Sequence, residues 1–258
     1  MNSLNNIFNI EEKVVVITGG AGYLCSEIAY KLHLLKCTII ILDNDIEKGK
    51  HLEEKINKEG GKSLALKIDV KNKDNYASCA ETIIKLFDKI DILINGAGIN
   101  SPTPLLDIKE EEWDNIVATH LKGTLFSCQI FGKEMIKQKK GSIINFSSAS
   151  SGPPLSKAFA YSVAKAGIKN LTQNIAREWA IYNVRINSLK PGFFPTEWSK
   201  KNFIDKDREK AILSHTPMNR FGEPDELLGA IIWLSSDAAS FVTGAEIAID
   251  GGFSAMTI

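Results

Sequence analysis

The sequence has few cysteines, no net charge and no long apolar run, and each deficit excludes a class of protein. Its four cysteines, Cys25, Cys37, Cys79 and Cys128, show neither a C-x-x-C spacing nor paired histidine ligands. We therefore expect reduced thiols and no metal site. The 31 Lys and Arg residues balance the 31 Asp and Glu residues, so no excess charge favours nucleic acid or an anionic membrane as a partner.

No apolar run approaches the length that a membrane-spanning helix needs. Residues 1–12 also lack the basic start, the apolar middle and the small-residue cleavage site of a signal peptide. These absences lead us to expect a cytoplasmic protein that acts on a small molecule, with neither nucleic acid nor membrane as a partner.

Short apolar, β-branched runs alternate with helical patterns along the whole chain. Seven runs predict strands, at 14–17, 38–42, 63–68, 92–94, 143–146, 184–187 and 245–249. Helical patterns recur between them, at about 23–35, 45–59, 72–87, 108–138, 159–181 and 224–236. This alternation predicts a single α/β domain over residues 1–258, a doubly wound parallel sheet of about seven strands with helices on both faces. Residues 193–218 interrupt the alternation, and we expect this segment to cover the substrate.

A glycine-rich turn, Thr18-Gly19-Gly20-Ala21-Gly22, joins the first predicted strand to the first predicted helix. A dinucleotide needs this context, because the backbone must approach the pyrophosphate and helix amides must face it. Asp43 ends the second strand, where a carboxylate accepts from a ribose 2′-hydroxyl and repels a 2′-phosphate. NAD(H) is therefore favoured over NADP(H). The alternative role for Asp43 is to cap the next helix, which Asp45 could also do.

Tyr161 and Lys165 lie four residues apart in a helical stretch, so their side chains share one helix face. The nearby ammonium is expected to lower the pKa of the phenol toward the working pH, which makes the pair a candidate for proton transfer. Taken alone, the same spacing arises often by chance and is usually a solvated helix face.

The order of these features resembles the classical short-chain dehydrogenase/reductase family over roughly residues 12–254. Further motifs carry the resemblance: Asn95-Gly96-Ala97-Gly98 after the fourth strand, Ser148 thirteen residues before Tyr161, and Pro191-Gly192 after the sixth strand. The resemblance implies a Rossmann fold and an enzyme that interconverts a secondary alcohol and a ketone. Tyr161 would be the general acid and base, Lys165 would lower its pKa and hold the nicotinamide ribose, and Ser148 would orient the carbonyl. Ser147 is the neighbouring alternative to Ser148.

Three positions depart from the family pattern. The family has glycines where this chain has Tyr23 and Cys25, and the Gly19-x-x-Gly22 spacing is closer to an extended branch of the superfamily. We expect Cys25 to be small enough to keep the helix near the sheet. His120 stands where the family's catalytic tetrad has Asn. It is expected to keep the proton relay, and the alternative is a buried histidine without a kinetic role.

The resemblance also implies the cofactor contacts and the assembly. The Asp69-Val70 pair would meet the adenine ring and Thr196 the carboxamide. The expected cofactor contacts are Gly19, Gly22, Tyr23, Leu24, Asp43, Asp69, Val70, Asn95, Gly96, Ala97, Tyr161, Lys165, Pro191, Gly192, Phe194 and Thr196. Since the last strand and the long helices commonly form subunit contacts in this family, a homodimer or homotetramer is expected.

Three turns, at 20–27, 192–197 and 215–224, resemble a sugar-acid branch of the family that includes D-mannonate oxidoreductase (fructuronate reductase) and gluconate 5-dehydrogenase. The expected substrate is therefore of the mannonate/fructuronate or gluconate/5-ketogluconate type. Lys157 is the candidate clamp for the carboxylate. Other candidate contacts are Asn100, Ser101, Ser148, Trp198 and Lys200. Apart from Ser148, the alternative for each candidate, Lys157 included, is a solvated loop residue. A 3-oxoacyl-thioester (acyl-carrier-protein) reductase is the alternative, and a non-catalytic dinucleotide-binding sensor is a more remote one.

Overall fold

A parallel sheet forms the centre of the computed structural model, which describes residues 7–196, 200–201 and 204–256. Seven strands run in the order β3-β2-β1-β4-β5-β6-β7. They are β1 (Val14–Thr18), β2 (Thr38–Asp43), β3 (Lys62–Lys67), β4 (Ile92–Asn95), β5 (Gly141–Phe146), β6 (Val184–Pro191) and β7 (Glu246–Ile249).

The central strands are buried on both faces, which explains their continuous runs of Val and Ile. Every residue of β1, β4 and β5 is buried. Val15 of β1 lies beside Ile39 of β2 on one side and beside Ile92 of β4 on the other. The strand order therefore reverses between β1 and β4, and a doubly wound sheet binds its ligand at the carboxyl ends of the strands beside such a reversal.

Helices cover both faces of the sheet. They are α1 (Tyr23–Leu34), α2 (Ile46–Lys58), α3 (Lys73–Phe87), α4 (Glu110–Val117), α5 (Gly123–Gln138), α6 (Phe159–Trp179), α7 (Lys206–Ser214) and α8 (Leu228–Ser235). Buried side chains of α1, α2 and α8 form one core against the sheet. Those of α3, α5 and α6 form a second core on the opposite face. Among the described residues, no helix is both long and apolar enough to cross a membrane.

The predicted fold class is confirmed, and each of the seven predicted strands corresponds to an observed one. The helix predicted over 108–138 is α4 and α5, joined by a π-helical turn at Ala118–Lys122. Helix α7 was missed, because it lies in the segment 193–218 that interrupted the pattern. It is short and charged, and Ile212 is its buried residue, so it carries too little apolar periodicity to be recognised.

Candidate active site

The turn between β1 and α1 packs closely against the backbone that follows β4. Gly19 has a φ of +65°, and a Cβ there would lie 2.7 Å from the Cα of Ala97. Gly22 forms the N-terminal cap of α1 without a side-chain hydrogen bond, and the first turn of α1 has no acidic residue. The helix therefore presents free backbone amides and its positive end, which suit an anionic pyrophosphate.

Cys25 fits below this turn because Gly96 has no side chain. A Cβ at Gly96 would overlap the Sγ of Cys25, so the sulfur occupies space that a larger residue at Gly96 would fill. Burial raises the pKa of the Cys25 thiol to about 12, which keeps it uncharged at neutral pH. The expectation that Cys25 lets α1 stay near the sheet is thus matched by this contact.

Asp43 ties the end of β2 to the glycine turn. Its Oδ2 accepts from the Ala21 amide at 2.9 Å and its Oδ1 from the Asp45 amide at 3.0 Å. Asp45, and not Asp43, is the N-terminal cap of α2, since its Oδ1 accepts from the Lys48 amide at 3.2 Å. The capping alternative for Asp43 therefore does not apply, and its carboxylate lies at the mouth of the turn.

A cavity of about 650 Å³ lies at the carboxyl ends of the strands. It brings together many of the residues predicted to bind cofactor or substrate: Gly19, Gly22, Tyr23, Leu24, Gly96, Asn100, His120, Ser148, Tyr161, Lys165, Pro191, Gly192, Phe194 and Thr196. The predicted residues outside its lining are Asp43, Asp69, Val70, Asn95, Ala97, Ser101, Lys157 and Lys200. Trp198 lies outside the described residues.

Some of the predicted residues outside the lining have structural partners. The Asn95 Nδ2 donates to the Asn145 Oδ1 at 2.8 Å, linking β4 to β5 inside the core. Asp69 is exposed, and its Oδ1 accepts from the Lys71 amide at 3.0 Å. Val70 packs against Gly123 at the start of α5. These contacts support the walls of the site, and a cofactor role for the three residues stays a prediction.

Ser147 and Ser148 both line the cavity, but the two hydroxyls differ in their hydrogen bonds. The Ser147 hydroxyl donates to the Glu246 Oε1 at 2.9 Å. The Ser148 Oγ accepts from the amide and the hydroxyl of Ser150, at 3.2 and 3.1 Å. Because both contacts use its lone pairs, the Ser148 hydroxyl keeps its own hydrogen for a third partner. This geometry favours Ser148 over Ser147 as the residue that orients a substrate oxygen.

Tyr161 and Lys165 lie together on α6, with the Lys165 Nζ 5.4 Å from the centre of the Tyr161 ring. The Lys165 ammonium donates to the Phe146 carbonyl oxygen at 2.6 Å. It is almost fully buried, and burial lowers its pKa to about 7. A lysine in this environment gives up its proton much more readily than one in water.

The expectation that Lys165 lowers the pKa of Tyr161 is not met in this structure. Burial raises the pKa of the Tyr161 phenol, and the hydrogen bond from Ser148 opposes that rise. The physical reason is that both groups lie in a low-dielectric environment, which disfavours the phenolate as well as the ammonium. The structure therefore holds Tyr161 in its protonated form at neutral pH.

His120 lies in the π-helical turn between α4 and α5, with 1% of its surface exposed. Its ring crosses that of Tyr161 edge-on, with 5.1 Å between their centres. The Nε2 contacts both the amide (3.0 Å) and the carbonyl (2.6 Å) of Ile99. The Nδ1 is buried without a hydrogen-bond partner among the described residues. Burial, aided by the Lys165 charge, lowers the pKa of His120 to about 3, so the ring is neutral.

Gly98 makes room for the His120 ring, since a Cβ there would overlap its Cε1. His120 stands where the family pattern has Asn, and its larger ring fits there because Gly98 has no side chain. A role for His120 in proton transfer stays a prediction. It is compatible with a neutral ring whose Nδ1 has no hydrogen-bond partner among the described residues.

Lys157, the expected carboxylate clamp, is directed to an ion pair instead. Its Nζ lies 3.2 Å from the Asp205 Oδ2, and both groups are exposed. Asp205 also caps α7, accepting from the Arg208 amide at 2.8 Å. Arg208 lines the cavity, together with Leu155 and Ile204. Arg208 was not predicted, because nearness to Tyr161 along the chain favoured Lys157. The available signal was that Arg208 lies in the segment 193–218, which was predicted to cover the substrate.

Glu246 of β7 is a second residue that the sequence reading missed. Its Oε1 accepts from the hydroxyls of Ser147 at 2.9 Å and Ser151 at 3.2 Å, on either side of Ser148. Its Oε2 lies 3.3 Å from the Lys169 Nζ. The carboxylate thus holds the turn that presents Ser148. No sequence signal indicates this, since Glu246 is distant along the chain and lies in a strand.

The segment after β6 forms another part of the cavity wall. Phe193 meets Phe253 edge-on, with 5.3 Å between their ring centres, and its carbonyl accepts from the Gly222 amide at 2.9 Å. Phe194 packs against Gly222, which has no side chain to obstruct the ring. The lining of the cavity thus includes part of the segment 193–218, while its role in covering a bound substrate stays a prediction.

Comparison with known proteins places the whole chain among oxidoreductases. The family model described as "Enoyl-(Acyl carrier protein) reductase" matches residues 23–254. An uncharacterized oxidoreductase of Bacillus subtilis is 37% identical, with 96% of each chain covered. An NAD-dependent glycerol dehydrogenase of Listeria innocua is 38% identical, with 95% of each covered. The 2-dehydro-3-deoxy-D-gluconate 5-dehydrogenase of Dickeya dadantii is 33% identical, with 96% of this chain and 98% of that protein covered.

Solved structures agree with these relatives. A protein described as a putative D-mannonate oxidoreductase, from Haemophilus influenzae and with bound NAD, is 36% identical, with a TM-score of 0.89 over 98% of both chains. A gluconate 5-dehydrogenase from Burkholderia cenocepacia with NADP and tartrate is 28% identical, with a TM-score of 0.93 over 98% of this chain and 99% of that one. The two structures hold different dinucleotides, so together they support a nicotinamide dinucleotide as the cofactor without selecting between NAD and NADP.

Proposed function

Because the chain belongs to the short-chain dehydrogenase/reductase family and to its sugar-acid branch, we propose that it is an NAD(H)-dependent oxidoreductase that interconverts a secondary alcohol and a ketone of a sugar acid. The observation that carries this proposal is the cavity of about 650 Å³ at the carboxyl ends of the strands. It joins the glycine turn to Ser148, Tyr161 and Lys165. A dinucleotide and a small substrate would meet there beside a proton donor.

The α1 N-terminus after the glycine turn is suited to hold the pyrophosphate, because its first turn has no side-chain cap and no acidic residue. Asp43 is the residue that favours NAD(H), since its carboxylate would accept from ribose hydroxyls and repel a 2′-phosphate. When bound, the nicotinamide supplies or accepts the hydride. The Lys48 ammonium, the cation nearest in sequence after Asp43, pairs with Asp45 at 2.8 Å, which leaves it less available to a phosphate.

The chain's own contribution is to position an oxygen and move a proton. In ketone reduction, the protonated Tyr161 would donate its phenolic proton to the carbonyl oxygen, while the Ser148 hydroxyl donates a hydrogen bond to the same atom. In alcohol oxidation the phenolate would accept the proton. Lys165 is proposed to hold the nicotinamide ribose, and it favours the phenolate only while it keeps its charge. His120 is proposed to extend the proton path through its unpartnered Nδ1.

A rate screen that follows NADH absorbance tests the substrate class. It would compare 5-keto-D-gluconate and D-fructuronate with simple ketoses and an acetoacetyl thioester, each repeated with NADPH. We expect turnover of a keto sugar acid with NADH. Turnover of the thioester alone, with NADPH, would instead favour a 3-oxoacyl-thioester reductase. It would refute both the substrate and the cofactor proposed here.

The substitution Tyr161→Phe tests whether the protein is a catalyst or a sensor. Loss of the phenolic proton donor should lower turnover by about 100-fold or more while dinucleotide binding persists. Tyr182→Phe, at a more exposed tyrosine outside the cavity, is the matched control and should leave the rate unchanged. Unchanged turnover in Tyr161→Phe would remove this residue from the mechanism.

A further inference from the structure

Arg208 is a cation of the cavity wall that the proposed chemistry does not use. Among the described residues that line the cavity, Lys165 and Arg208 are the lysine and arginine side chains, and none is Asp or Glu. His120 also lines it, but as a neutral ring. Lys165 donates to the Phe146 carbonyl inside the core. Arg208 therefore supplies positive charge to a different part of the wall.

The guanidinium of Arg208 is fixed in place from one side. Its Nη1 donates to the Ser156 Oγ at 2.7 Å and its Nη2 to the Ser156 carbonyl at 2.8 Å. Asp205, which caps the same helix, accepts from the Arg208 backbone amide and pairs with Lys157. Ser156 thus leaves other N–H donors of the fork available, and a fork held in one orientation matches a carboxylate in two parallel hydrogen bonds.

We propose that Arg208 binds the carboxylate of the substrate and thereby selects sugar acids over neutral sugars with the same carbon chain. The inference rests on the function proposed above and names the residue that sets its substrate class. Relatives of this chain are named for both kinds of substrate, a glycerol and a threitol dehydrogenase beside gluconate enzymes. A positive charge in the cavity is the feature that distinguishes a carboxylate from a hydroxymethyl group.

The competing role for Arg208 is to latch helix α7 onto the loop before α6. Loss of such a structural contact would affect the kinetics of every substrate alike, because the contact shapes the cavity and does not depend on the charge of the substrate. A clamp would act on the acid alone. Two matched pairs separate these roles: 5-keto-D-gluconate with L-sorbose, and D-fructuronate with D-fructose. In each pair the ketone and the carbon chain are the same, and a carboxylate in one compound is a hydroxymethyl group in the other.

The experiment measures kcat and KM for these pairs in the wild type and in Arg208→Gln, which keeps a donor for Ser156 but loses the charge. The KM for the acid should rise by about tenfold or more, as expected for a charged hydrogen bond, and the KM for the ketose should change by less than about threefold. Arg208→Lys should recover part of the affinity. In the wild type, added salt should raise the KM for the acid, and in Arg208→Gln that dependence should weaken.

Lys210→Gln is the matched control, since it removes an exposed cation from the same helix, and it should leave the acid-to-ketose ratio unchanged. If Arg208→Gln alters both members of a pair equally, or if Lys157→Ala abolishes acid selectivity in its place, the clamp is refuted while the proposed function stands. If the wild type reduces neither keto acid, the proposed substrate class fails, and the inference fails with it.

Discussion

Replacing His120 with Asn should make the protein less sensitive to acid. The imidazole is neutral because burial and the Lys165 charge lower its pKa from 6.5 to about 3. In the unfolded chain the same residue takes up a proton as the pH falls through 6.5. Between these two values the unfolded state binds more protons than the folded state, so the free energy of unfolding decreases as the pH falls. Asn does not titrate and lacks this contribution.

The size of the effect follows from the two pKa values. Each pH unit below 6.5 removes about 1.4 kcal/mol, which amounts to about 2 kcal/mol near pH 5. The substitution also has a cost that does not depend on pH, because the ring packs against Tyr161 and against Gly98. Loss of such a buried side chain costs about 1–3 kcal/mol at any pH. The informative quantity is therefore the change in this cost between two pH values.

Urea unfolding of the wild type and of His120→Asn, at about pH 7.5 and about pH 5, gives that difference directly. At about pH 5, the unfolding free energy of the wild type minus that of His120→Asn should be about 2 kcal/mol smaller than at about pH 7.5. His51→Asn is the control, because His51 is exposed on α2. If wild type and His120→Asn lose stability in parallel, the neutral buried imidazole is refuted. The same variant should keep its activity, and a complete loss of turnover would show a specific role for the ring.

Two further substitutions test the cofactor proposal and the support of Ser148. Asp43→Ala should lower the ratio of kcat/KM for NADH to kcat/KM for NADPH, because it removes the carboxylate that would repel a 2′-phosphate. A wild type that uses the two cofactors equally well would contradict the role proposed for Asp43. Glu246→Ala removes the acceptor of the Ser147 and Ser151 hydroxyls, which flank Ser148. We expect kcat to fall by about tenfold or more, because Ser148 is then held less firmly. The affinity for NADH, measured by fluorescence titration, should stay the same. A fall in NADH affinity alone would show that Glu246 acts elsewhere.

The fold was accessible from the sequence because each central strand is buried on both faces. Runs such as Thr38-Ile39-Ile40-Ile41-Leu42 have no polar alternation and are too short for helices, so they predict buried parallel strands. Helix α7 was not accessible, since it is held by polar contacts such as that of Arg208 with Ser156. A helix without an apolar stripe leaves no periodic signal in the sequence.

The site was predictable where function depends on spacing along one element, and not where it depends on distant segments. Tyr161 and Lys165 share a helix, so their proximity follows from their spacing. Lys157 was proposed as the clamp for the same reason, by its nearness to Tyr161 in the chain. The structure instead pairs Lys157 with Asp205 and brings Arg208 to the cavity from 47 residues further along than Tyr161. Such a juxtaposition is decided by tertiary packing.

Burial disfavours the charged forms of both Tyr161 and Lys165, so it shifts their pKa values in opposite directions and determines which of them holds a proton. It holds the phenol protonated by raising its pKa, and it lowers the pKa of the ammonium to about 7. The Phe146 carbonyl gives Lys165 a dipole and no full negative charge. A phenolate would stabilise the ammonium, and the ammonium would stabilise the phenolate, so the two groups titrate as a pair. At neutral pH the free protein therefore holds the acid form of Tyr161 that ketone reduction needs. Alcohol oxidation needs the ion pair, which forms only if Tyr161 loses its proton while Lys165 keeps its own.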